Sequence, residues 1–126
     1  MENQSKPPVV ITVGNAIVKG AAKNYSYLEA IVCVLHRDKK GAVMFRSYAR
    51  PCAAHRSKRL AVQNARDLLA EYLSEGRMAF FLEDRKGSMH NCPVPPDIAK
   101  ELLKTEWAAW FPSHPEIAQE FLIAAY

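Results

Sequence analysis

Apolar residues along this chain recur at two spacings, one suited to strands and one to helices. From Val9 to Val18 (VVITVGNAIV) they are largely β-branched and apolar on both alternating faces, which predicts a buried strand. Gly14 within it marks a bulge. Tyr27 to His36 (YLEAIVCVLH) fits two periods, because Leu28, Ile31, Val32 and Leu35 also match a helix. Its three β-branched residues decide for a strand, as does the Arg37-Asp38-Lys39-Lys40-Gly41 hairpin loop leading into a further strand at Ala42 to Tyr48. Pro51 ends that strand.

Ser57 then serves as the N-cap of a helix running to about Ser74, with Gly76 just past its end. Ala61, Ala65, Leu68, Leu69, Tyr72 and Leu73 form its apolar stripe. Met78 to Glu83 (MAFFLE) predicts a short strand, Asp84 to Gly87 a turn, and Ser88 to Cys92 a weak returning edge strand. Pro93 to Pro96 breaks the chain before a helix from about Asp97 to Trp110, stopped by Pro112. Ser113 and Glu116 form a capping box for a last helix from His114 nearly to Tyr126.

The resulting order is β-β-β-α-β-(β)-α-α. Strands gathered early and helices late predict an α+β fold, a mainly antiparallel sheet of four or five strands with three helices laid over one face. Residues 1–8 read as a flexible N-terminal tail and residues 9–126 as a single globular domain, since no repeat or Gly/Ser linker interrupts them. A chain of 126 residues is long enough to bury a core without disulfides or metal.

Charge changes the picture. Residues 1 to 66 hold 12 Lys and Arg against 3 Asp and Glu (+9), whereas residues 67 to 126 hold 5 against 10 (−5), which together make the net +4. An anionic partner for the first half is one reading, and attraction between the two halves of the fold is the other. Two local features sharpen the first. Arg56, Arg59, Gln63 and Arg66, with Lys58 close by, line one side of the central helix, so cations sit at its N-terminus while Asp67, Glu71 and Glu75 sit toward its C-terminus. That arrangement opposes the macrodipole, and a docked phosphate would relieve it. Arg46, Tyr48 and Arg50 alternate along the third strand and place an aromatic ring between two guanidinium groups, a surface suited to single-stranded nucleic acid, which Lys39 and Lys40 at the hairpin tip would extend. Burial of Tyr48 under a helix competes with this reading.

Other chemistry finds little support. Cysteine and histidine are neighbours in Cys33/His36, Cys52/His55 and His90/Cys92, but residues three apart on a strand face opposite ways and no Cys-x-x-Cys pair anchors a zinc knuckle, so no metal or other cofactor is expected. His36-Arg37-Asp38 matches the letters of a kinase catalytic loop without its Gly-rich loop or metal-binding residues. No phosphate-binding loop, dinucleotide fingerprint or nucleophile elbow is present, and an enzyme is the least expected class. Three widely spaced cysteines and the absence of a long apolar run favour a reduced cytoplasmic compartment and no membrane. Trp107, Trp110, Phe111 and Tyr126 are read first as core and second as a partner interface, a dimer included.

The expectation is a non-catalytic nucleic-acid-binding accessory protein, for DNA or RNA, that works mainly through phosphate contacts by Arg46, Arg50, Arg56, Lys58, Arg59 and Arg66. The alternative is a protein-interaction module, a small inhibitor or an assembly subunit of a mobile or compact genome, that turns the same basic face to an acidic protein.

Overall fold

A computed structural model describes residues 6–15, 28–47 and 57–111. Expectations for Tyr48, Arg50, Arg56, the Cys52/His55 pair, the tail to residue 5 and the last helix with Tyr126 lie outside the described residues.

The strands are β1 (Val9–Asn15), β2 (Leu28–Arg37), β3 (Val43–Ser47), β4 (Ala79–Lys86) and β5 (Cys92–Pro93). The helices are α1 (Lys58–Ser74) and α2 (Pro96–Leu102), followed by a 3₁₀ turn at Glu106–Trp110. The fold is α+β, as its sequence predicts, with one five-stranded sheet in the order β4-β1-β2-β3-β5. That sheet is mixed: β1–β2, β2–β3 and β3–β5 pair antiparallel, but β4 pairs parallel to β1. The reason is the connection. A crossover helix returns the chain to the end of the sheet where it began, so the strand after α1 runs in the direction of β1.

Helices cover both faces, which corrects the one-sided arrangement expected above. Alternate residues of β1 point opposite ways. Val9, Ile11 and Val13 pack with Ala30 and Val32 against Ala61, Ala65, Leu68 and Tyr72 of α1. Val10 joins Cys33, Leu35 and Phe45 on the other face, under Ile98 and Leu102 of α2 and Trp107 and Phe111 beyond it. A central strand buried on both sides reads as a continuous apolar run, as β1 does.

The ends of α1 are those its sequence predicts. Gly76 takes φ +80 and its N–H donates to the Leu73 carbonyl at 3.0 Å, while Arg77 N–H donates to the Tyr72 carbonyl at 3.0 Å. This is a Schellman cap. The buried stripe is narrower than expected: Leu69 is half-buried and Leu73 exposed, because Leu73 lies about 100° around the axis from buried Tyr72.

Three segments depart from their expected form. The helix expected over Asp97 to Trp110 is divided at Thr105, whose hydroxyl donates to the Leu102 carbonyl at 2.7 Å and accepts the Trp107 N–H at 3.1 Å. A β-branched hydroxyl side chain thereby competes with the helix ladder and starts a new turn. The turn expected at Asp84 to Gly87 is instead strand through Lys86, because β1 continues to pair there (Val13 with Lys86), and the reversal is left to Gly87 at φ +89. The returning strand is only Cys92–Pro93, and it pairs with β3 rather than β4. The irregularity of the β1–β4 ladder falls between Ile11 and Val13, opposite Phe81 and Lys86, so the extra residues belong to β4 and Gly14 is not the bulge.

Candidate anion-binding site

β1 and β4 run side by side in the same direction, and α1 runs back against them. Their C-terminal ends therefore meet the N-terminus of α1, the kind of crevice in which open α/β sheets bind ligands. Here it has a volume of about 410 Å³ and is lined by Asn15, Lys58, Glu83, Arg85 and Lys86, with Gly14 and Gly87 in its wall. The wall is pinned by main chain. Gly87 N–H donates to the Val13 carbonyl at 2.9 Å, and the buried Thr12 hydroxyl donates to the Gly87 carbonyl.

Three cations against one carboxylate give the crevice a positive field. Glu83 is already engaged: its Oε1 lies 2.5 Å from Nη2 of Arg66, whose guanidinium also sits 5.8 Å over the Phe81 ring. Arg85 points a guanidinium N–H at Cys92 Sγ, 3.3 Å away. Lys58 makes no ion pair among the described residues. The first turn of α1 holds no acid, its last turn no base, and Ser57 contributes no side-chain cap, so the reversed charge read in the sequence stands uncompensated within the helix.

The remaining basic residues are dispersed. Arg59 is exposed on α1. Lys39 and Lys40 lie exposed at the hairpin tip, which Asp38 shapes by accepting the N–H groups of Lys40 (2.9 Å) and Ala42 (2.8 Å). That tip is at the far end of β2 from the crevice. Arg46, paired opposite Val34, lines a second concavity with Lys6, His36, Arg77 and Trp110 near the start of β1. Among the described residues the basic side chains thus divide between two ends of the sheet. Arg66 is the one candidate cation met by the acidic second half in an ion pair among the described residues.

Sequence patterning does not single out Arg85, Lys86, Lys6 or Arg77. Arg85 and Lys86 belong to the net-acidic half, and only the parallel pairing of β4 with β1 brings them to Lys58. A basic pair closing an apolar strand just before a glycine is the one local signal they carry.

Trp107 and Phe111 are buried in the core, and half-buried Trp110 meets Trp107 edge-on with centroids 5.2 Å apart. Arg37 lies 5.3 Å over the Trp110 ring. Among the described residues no three His, Cys, Asp or Glu side chains gather to hold a metal ion, and no helix is long and apolar enough to cross a membrane. No protein family, curated protein or solved structure matches the chain.

Proposed function

We propose that this protein is a non-catalytic nucleic-acid-binding accessory protein that acts in the cytoplasm and holds its partner mainly through phosphate contacts. The observation that carries the reading is the meeting of Lys58 with Arg85 and Lys86 in one crevice, opposite a single carboxylate that Arg66 already occupies. Three cations from segments far apart in sequence, with no equal number of acids beside them, repel one another unless an anion is drawn in. Phosphate is the anion whose charge and acceptor oxygens suit them, and Arg59 would add a further contact on α1.

Binding of this kind releases counterions, so it weakens steeply with salt and discriminates little among sequences. Fluorescence anisotropy with short single- and double-stranded oligonucleotides is expected to show a linear fall of log K with log salt. Lys58→Ala and Lys86→Ala should each lower the slope by about 1. Absence of binding at about 50 mM salt, where such contacts are strongest, overturns the reading.

A second reading, a protein-interaction module for an acidic partner, is favoured by Leu60, which is 44% exposed on α1 beside Lys58 and Arg59. A protein surface would cover that side chain and a phosphate would not. Retention of the same partner in a pull-down from nuclease-treated lysate, lost in Leu60→Asp, would favour it over nucleic acid.

A further inference from the structure

The second concavity has a chemistry of its own. It is an open groove of about 480 Å³ near the start of β1, walled by Lys6, His36, Arg46, Arg77 and Trp110, with Pro7 and Val34 supplying apolar surface. Its cations come from three places: the residues before β1, the last residues of β3, and the cap of α1. No acidic residue is among the described lining residues. Arg77 is held in place, since its Nε–H donates to the Pro7 carbonyl at 2.7 Å and its guanidinium lies 5.3 Å over the Tyr72 ring. Those contacts use the Nε–H and one face of the planar group and fix its orientation. Arg46 and Lys6 are exposed and form no ion pair among the described residues.

We infer that this groove takes the phosphorylated terminal nucleotide of a single nucleic-acid strand, with the phosphate on Lys6, Arg46 and Arg77 and the base toward Trp110. The inference rests on the nucleic-acid reading above and names which part of the strand this site holds. A terminal phosphate monoester carries nearly two negative charges at neutral pH, where an internal phosphodiester carries one, so three cations without a facing acid discriminate in favour of an end. The half-buried Trp110 in the groove wall adds aromatic surface beside the charge, which suits an unstacked base that a duplex would not offer. The volume is that of a small-ligand site, not of a duplex groove.

The test compares fluorescently labelled single strands of one sequence that end in a 5′-phosphate, a 3′-phosphate or hydroxyls at both ends, titrated against the wild type, Lys6→Ala, Arg46→Ala and Lys58→Ala proteins. The wild type is expected to bind one phosphorylated strand about tenfold more tightly than the hydroxyl strand. Lys6→Ala and Arg46→Ala, both at exposed positions, should each erase that preference. Lys58→Ala should weaken all strands alike. Equal binding of all three strands by the wild type, or a preference that survives both groove variants, overturns the inference and leaves the nucleic-acid reading intact. Failure of every strand to bind overturns that reading, and this inference with it.

Discussion

Gly14 of β1 and Gly87 at the end of β4 meet backbone to backbone: a Cβ on Gly14 would stand 2.6 Å from the Gly87 Cα and 2.7 Å from Ile31 Cδ1. Neither neighbour on the β4 side is a side chain that could swing aside. Gly14→Ala must therefore displace the tip of β4, at a cost of about 1–3 kcal/mol. Urea denaturation should show the loss, and oligonucleotide affinity should fall with it because Arg85 and Lys86 move with that tip. A variant as stable as the wild type would mean that the two strands separate freely at this point.

Arg66 and Glu83 form an exposed pair, with side chains 56% and 54% accessible. Pairs of this kind contribute about 0.2–1 kcal/mol, so Glu83→Gln should scarcely alter stability. It removes the carboxylate of the crevice and releases Arg66. Affinity for oligonucleotides should rise severalfold, and the salt dependence should steepen by about one phosphate contact. Unchanged affinity would place the bound strand away from the crevice.

Thr105 joins α2 to the 3₁₀ turn through one hydroxyl that both donates and accepts. Thr105→Val keeps the shape and loses both bonds, at a cost of about 0.5–2 kcal/mol. The near-ultraviolet circular dichroism of the Trp107–Trp110 pair should weaken, since the N–H of Trp107 is the group left without its acceptor. An unaltered spectrum would show that core packing alone orders the turn.

Glu29, half-buried on β2 opposite Gly14, has its carboxyl pKa raised by desolvation. Below its ordinary pKa the group is protonated in both folded and unfolded chains and carries no penalty. As pH rises through the raised folded-state value, ionisation costs the folded state more than the unfolded one, so stability falls. Glu29→Gln should remove that fall. Urea midpoints measured from acidic to neutral pH should diverge, with the variant the more stable at neutral pH, and parallel curves would refute the assignment.

Features governed by neighbours in sequence were legible from the residues themselves. The hairpin between β2 and β3 follows from Asp38 and Gly41, whose side-chain acceptor and φ of +86 make the turn by themselves. The end of α1 follows from Gly76, while Ser57 holds the N-cap position without a side-chain cap. Where a local rule met a tertiary demand, the tertiary demand prevailed. Asp84, Arg85 and Lys86 have turn composition, yet the chain stays in β4 through Lys86, which pairs with Val13 of β1. In the run from Asp97 to Trp110 one local rule overrode another, since the Thr105 hydroxyl, bonded to residues two and three positions away, divides the helical stripe.

The candidate site was legible only in its charge. The sequence alone determined that Lys58 and Arg59 open a helix whose macrodipole they oppose, because charge order along a helix is a property of that one segment. Which cations stand beside Lys58 was decided by the fold. The pairing of β4 parallel to β1 brings Arg85 and Lys86 across from the acidic half and hands Arg66 to Glu83, while Arg46 goes to the opposite end of the sheet with Lys6 and Arg77. Partnership across tens of residues depends on strand order and direction, and those are set by which arrangement buries both faces of β1 at once.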